Sequence, residues 1–170
     1  TGIKTLNKNK KSEFFPLEAN DLVINTLPIT TVSNMLGKDI NITFRGIASL
    51  YVEFTNSKNT KILPEDFNWL YFGDQKNNFN RITEPTSMAK ELDTLNQGRN
   101  YLIIESCHNH TLDINELKAC QDKSLDDLMN LQFIDGEKSQ IKTSINWEPY
   151  VYPIQSLINR KKLKEAQNWI

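Results

Sequence analysis

The sequence predicts a mainly β fold: a β-sandwich with a short inserted helix, a two-helix excursion and a C-terminal helix. Three observations predict it. Leu50, Val52 and Phe54 alternate with Tyr51, Glu53 and Thr55, the period-two pattern of a strand with one buried face. The same alternation recurs at Ile40, Ile42 and Phe44, and again at Ile141, Thr143, Ile145 and Trp147. Between them Tyr101–Ile104 is a compact apolar run suited to a central strand.

Residues 1 to 13, TGIKTLNKNKKSE, are rich in lysine and asparagine and lack apolar periodicity, so they read as a flexible tether before a single domain over 14–170. Phe14–Leu17 is the first packed segment expected. Leu22–Val32 is apolar and β-branched but interrupted by Pro28, which predicts an edge strand or two strands with a kink. Asn34–Asp39, with Gly37, reads as a turn, and Gly46 as the end of the strand through Ile40, Ile42 and Phe44. After the polar connection Asn56–Lys61, Pro64 suits the first position of a short helix. Glu65 and Asp66 would complement its dipole, and Phe67, Leu70 and Tyr71 would form its apolar face. Asn77–Asn80 is a polar loop leading to a short strand at Arg81 and Ile82.

Residues 85 to 96 are ambiguous, because Met88, Ala89, Lys90, Glu91 and Leu92 favour helix. Asp113 and Glu116 have the spacing of a capping pair, opening a helix through Leu117 and Cys120. Ser124 with Asp127 repeats the signal, so the stretch 107–131 reads as two helices inserted into the sandwich. From Ile154 to Ile170 the residues favour helix, with Leu163, Ala166, Trp169 and Ile170 towards one side.

A chain of 170 residues suits one domain and buries a sizeable core without metal or disulfides. Hydrophobic residues make up 38% and charged residues 24%, and the net charge of −1 argues against a broad electrostatic grip on nucleic acid. No apolar run approaches the roughly 20 residues needed to span a bilayer. The start, without Met or an apolar signal region, reads as that of a mature or trimmed fragment.

Cys107, His108 and His110 stand close to Asp113 and Glu116, an arrangement that invites a metal reading. Zinc wants three or four ligands, and these two histidines are the only ones in the chain and lie two residues apart. The segment is better read as a polar turn beside a Cys107–Cys120 disulfide, which would close a loop worth roughly 3 kcal/mol. Two unpaired thiols in a reducing compartment are the alternative. As a nucleophile pair, Cys107 and His108 would point to opposite faces of a strand, leaving His110 as the only partner.

The carboxylate pairs Glu65/Asp66 and Asp126/Asp127 sit at expected helix starts, where acids belong for dipole reasons. Arg160, Lys161, Lys162 and Lys164 read as a solvated helix face, with an acidic partner or lipid headgroups as the sharper alternative. Asn41-Ile-Thr43 and Asn109-His-Thr111 match the glycosylation sequon, a coincidence common in an asparagine-rich chain. There is no phosphate loop, dinucleotide fingerprint or nucleophile elbow. The expectation is therefore no catalytic residue, no metal and no cofactor.

The strand at Ser49–Thr55, the polar loop and the run Asp66, Phe67, Leu70 together resemble the outer-membrane lipoprotein of the type VI secretion system, the TssJ family. Pro85 and Leu92, then Arg99, Tyr101, Ile103 and Ile104, and finally Trp147, Tyr150 and Val151 extend the resemblance over roughly residues 20 to 153. It implies a transthyretin-like sandwich in the periplasm, held at the outer membrane by an acylated N-terminal cysteine; this chain has Thr1 there instead. The implied role is non-enzymatic assembly, docking onto the periplasmic domain of an inner-membrane secretion component. Met35, Leu36, Asn56 and Lys58, in loops between strands, are the expected contacts. Two alternatives remain: a small hydrolase or metal-binding enzyme using Cys107–Glu116, and an immunity or inhibitor protein.

Overall fold

The alternation at Leu50–Phe54 runs on in both directions, so that Phe44–Phe54 is one strand of 11 residues. The computed structural model describes residues 2–7, 9–55, 62–64, 67–73, 76–88, 99–134 and 137–169. In chain order the elements are β1 (Gly2–Leu6), β2 (Ser12–Pro16), α1 (Ile29–Met35), β3 (Phe44–Phe54), β4 (Trp69–Tyr71), β5 (Arg81–Thr83), β6 (Asn100–His108), α2 (Ile114–Asn130), β7 (Lys142–Pro153) and α3 (Leu157–Trp169). Short 3-10 turns lie at Pro85–Ser87 and Lys138–Gln140.

The fold is mainly β, with two antiparallel sheets: the hairpin β1–β2, and five strands in the order β4-β5-β6-β3-β7. Pairing aligns Leu70, Ile82, Ile104, Leu50 and Ile145 in one row across the five-stranded sheet. With Val52, Phe54 and Leu102 they form the covered face. What closes over that face is a helix together with the connections, since Leu125 and Leu128 of α2 and Leu63, Phe79 and Ile134 join the same core. Each such buried side chain contributes on the order of 1.5–3 kcal/mol. Phe72 meets Phe79 edge-on at 5.0 Å and closes one margin of the core.

A smaller core joins Ile40, Ile42 and Ala166 to Ile29, Phe44 and Leu163. It anchors α3, whose buried Asn159 donates from Nδ2 to the carbonyls of Thr43 (3.2 Å) and Ile154 (2.9 Å). Lys162 Nζ donates to the Asn41 carbonyl at 2.7 Å, so this member of the basic run is a helix fastener.

Several expectations are corrected. The stretch expected as a tether is a hairpin, β1 pairing with β2 from Gly2↔Pro16 to Leu6↔Ser12. Its turn is held by Asn7, whose Oδ1 accepts from the amides of Asn9 and Lys11. Leu22–Val32 forms no strand; its end is the start of α1, where Pro28 takes the N-cap. Gly46 does not end a strand but lies inside β3, at a register shift between Arg45 and Ile47. A Cβ there would come within 2.1 Å of the Trp147 ring, so only glycine fits. Gly37 does turn the chain after α1, with φ +88°.

No helix covers Phe67–Tyr71: Trp69–Tyr71 pairs with β5 instead, putting Leu70 on the covered face and Tyr71 on the other. Glu65, Asp66, the loop 56–61 and most of the ambiguous stretch 85–96, from residue 89 on, lie outside the described residues. The two-helix excursion is one 17-residue helix, α2. Its capping box is formed as expected: Asp113 Oδ1 accepts from the Glu116 amide (2.9 Å), and Glu116 Oε2 accepts from the Asp113 amide (2.8 Å). Ser124 is buried mid-helix and does not cap a second one, because Leu125 and Leu128 continue the apolar face through it.

Candidate functional site on the open face of the sheet

Residues one position away from each core row point to the other side of the sheet, and α2 does not reach them. On this open face the pairing aligns Trp69, Thr83, Ile103, Tyr51 and Ser144, flanked by the row Tyr101, Glu53 and Lys142 and the row Tyr71, Arg81, Glu105, Ser49 and Asn146. Most are partly exposed, and Tyr51, Trp69 and Tyr71 are exposed outright. Antiparallel sheets tolerate one solvated, polar face; this one carries four aromatic rings, Tyr51, Trp69, Tyr71 and Tyr101, among its polar groups.

Across β6, β3 and β7 on this face lies a cavity of about 490 Å³. Tyr51, Glu53, Tyr101, Ile103, Lys142 and Ser144 line it, and Pro85 and Thr86 of the 3-10 turn form a rim. Its size falls within the range of small-molecule clefts. Glu53 sits between two cations: Arg99 Nη1 pairs with Glu53 Oε1, and Lys142 Nζ lies 3.5 Å from the same oxygen. Among the described residues, two cations thus face one carboxylate at one end of the cavity. Surface pairs of this kind contribute only about 0–1 kcal/mol, so these side chains can exchange a protein partner for a ligand at small cost.

Further along, Arg81 pairs through Nε with Glu105 and donates from Nη1 to the Tyr71 hydroxyl at 3.2 Å, its guanidinium 5.7 Å over the Tyr71 ring. The hydrogen bond to Glu105 is the largest of the effects that raise the Arg81 pKa above its ordinary value. Glu84 anchors the start of the rim. The Glu84 carboxylate is buried and accepts from the amides of Ile62 (3.2 Å) and Leu63 (3.0 Å), while its own amide donates to the Asn68 carbonyl at 2.9 Å. Pro85 and Thr86 follow directly.

The Cys107–Cys120 disulfide expected from the sequence is not formed; both are free thiols. The reason is strand parity. Cys107 points to the open face, where desolvation pushes its thiol up from the ordinary value despite the opposing pull of Arg45. Cys120, on α2, faces the covered side and meets the neighbouring residue instead, with Ser106 Oγ at 3.1 Å. Ser106 Oγ also lies 3.0 Å from His108 Nε2, which is 3.9 Å from Cys120 Sγ. Desolvation first, then His110, holds the His108 pKa below its ordinary value. His110 reaches Glu116 at 3.6 Å on the surface. Among the described residues no group of three or more His, Cys, Asp or Glu is arranged to hold a metal ion.

Met35 and Leu36 end α1 and are well exposed. Asn56 and Lys58 lie outside the described residues. The sequence reading singled out none of the cavity residues as a site. Their signal was present in Tyr51 and Glu53, the outward half of the strand alternation, but alternation alone marks such residues as solvated.

No protein-family model matches this chain, and no curated protein matches it. Among solved structures it is similar to the crystal structure of reduced UDP-galactopyranose mutase, with a TM-score of 0.66 and 15% identity. The match covers 97% of this chain and 35% of that one, so this chain spans about a third of that protein's length. At that identity the likeness is one of fold.

Proposed function

We propose that this chain is the sheet-bearing portion of a larger enzyme of the UDP-galactopyranose mutase kind, and that its open face is one wall of the substrate cleft. The observation that carries this reading is the aromatic, cation-flanked cavity on the face of the five-stranded sheet that no layer covers among the described residues. The fold likeness to a third of a sugar-nucleotide enzyme supports it. In this role Tyr51 and Tyr101 supply flat surfaces against a base or sugar ring. Lys142 and Arg99 supply charge for an anionic group, and Glu53 fixes where those cations stand. These are binding and orienting functions; groups outside the cavity would perform any bond-making step.

The test is titration of the protein with UDP-galactose, followed by calorimetry or by shifts of the Tyr51 and Tyr101 ring resonances. Lys142→Ala and Tyr101→Ala should each weaken binding by about tenfold or more, at unchanged thermal stability. Binding that is absent, or that survives both substitutions unchanged, would overturn the reading.

The exposed pair Met35 and Leu36 favours a second reading, docking onto a partner in an envelope-spanning assembly. Changing both to Asp should then abolish capture of the periplasmic partner domain, and undiminished capture would exclude it.

A further inference from the structure

The segment Asp21–Leu27, DLVINTL, sits between the hairpin and α1 without helix or strand. Leu22 is 83% and Ile24 80% exposed, with Val23 exposed between them. No hydrogen bond is made by the backbone of Leu22, Val23 or Ile24 among the described residues. Its flanks, by contrast, are organised. The Glu18 amide donates to Asp21 Oδ2 at 2.8 Å and the Asp21 amide returns to the Glu18 carbonyl at 3.2 Å. On the far side the Leu27 amide donates to Asn25 Oδ1 at 2.8 Å.

Three consecutive apolar residues, two of them β-branched, present an apolar side chain to both faces of any strand they form. That is the pattern of a strand covered on both sides, unlike the one-sided alternation of β3. The bare amides and carbonyls of such a strand are matched by the backbone of a neighbouring strand. Further apolar side chains are exposed in the N-terminal region, where Leu6, Phe14, Phe15 and Leu27 are all more than half exposed. Large exposed apolar groups in number point to an interaction rather than to solvent.

We propose that Leu22–Ile24 is a strand of a further β-sheet, one covered on both faces, whose remaining strands belong to a longer polypeptide that includes these residues. This rests on the larger-enzyme reading above. The occupant follows from the backbone chemistry, which calls for strands, and from the solved neighbour, of which the match covers only 35%.

Amide hydrogen exchange, read by mass spectrometry on the protein from its native source and on the 170-residue chain alone, tests this. The expected result is a native polypeptide heavier than 19.7 kDa, in which the amides of Leu22–Ile24 exchange about 1,000-fold or more slowly than in the isolated chain. A native mass of 19.7 kDa, or equal exchange in the two samples, overturns the proposal. Protection of the same amides in a self-associated form of the isolated chain also overturns it, because the occupant would then be a second copy. None of these readouts involves the open face, so they fail or succeed separately from the UDP-galactose titration.

Discussion

The two faces of the five-stranded sheet are built from the same strands, one residue out of step, and they end up chemically opposite. On one side the row Leu70, Ile82, Ile104, Leu50 and Ile145 is sealed by Leu125 and Leu128 of α2. On the other, the row Trp69, Thr83, Ile103, Tyr51 and Ser144 meets no layer among the described residues, and its last three members border an open cavity. The covered face carries stability. The open face carries rings, hydroxyls and a carboxylate between two cations, groups whose loss should cost recognition far more than folding. If that division is right, neighbouring residues of one strand should respond to the same substitution in very different ways.

The pair Leu102 and Ile103 of β6 offers the largest contrast. Leu102 is 1% exposed and packed in the main core, so Leu102→Ala should destabilise by about 2–5 kcal/mol, read as a lower denaturant midpoint at constant slope. Ile103, half-buried against the cavity, should lose about 1 kcal/mol or less when cut to Ala. Equal losses at the two positions would mean that the open face is packed in the isolated chain, and the contrast would collapse.

A smaller effect comes from Glu84, where the two faces are joined. Its buried carboxylate holds the amides of Ile62 and Leu63, setting Leu63 into the covered core while Pro85 and Thr86 rim the cavity. Removing the acceptor strands two amides, so Glu84→Ala should cost about 1–3 kcal/mol, with Glu84→Gln recovering part of it through its carbonyl oxygen. Thermal unfolding of both variants checks this. A Gln variant no better than Ala would show that the loop is held by something other than those hydrogen bonds.

Much of the covered face was legible in the sequence, because period-two alternation reports burial on one side directly. The strands at Leu50–Phe54, Tyr101–Ile104 and Ile141–Trp147, and the Asp113–Glu116 capping box, are where their patterns put them. The misreadings share a cause: local signals overruled by pairing or packing. Phe67, Leu70 and Tyr71 satisfy helical spacing, but Trp69–Tyr71 gains a ladder with β5. Ser124 and Asp127 look like a cap, yet the helix continues because Leu125 and Leu128 seal the core. The cysteine pairing failed on a single-residue parity, Ser106 rather than Cys107 facing α2. The cavity was hidden for a related reason. Outward positions of a strand look alike in sequence whether they meet water or a ligand, and only register brings Tyr51, Ile103 and Ser144 into one row.

The smallest effect expected is a pH dependence at the margin of the covered face. His108 lies against Ser106, Cys120 and the Trp147 ring, with His110 and Glu116 nearby. Desolvation, helped by His110 and opposed by Glu116, holds its pKa below the ordinary value near 6.5. The folded protein therefore takes up the imidazole proton less readily than the unfolded chain does. It follows that the contribution of neutral His108 is fully present above about pH 6.5 and is lost progressively as the pH falls from there towards the folded-state value. Below that value the loss is complete. Because the side chain is only partly buried, solvent screening keeps the effect below those at Leu102 and Glu84. Melting curves at about pH 7.5 and about pH 5 should show a drop for the unaltered protein that shrinks in His108→Gln, which keeps a polar group near Ser106 but does not titrate. An equal drop in both proteins would show that the acid sensitivity does not come from this imidazole.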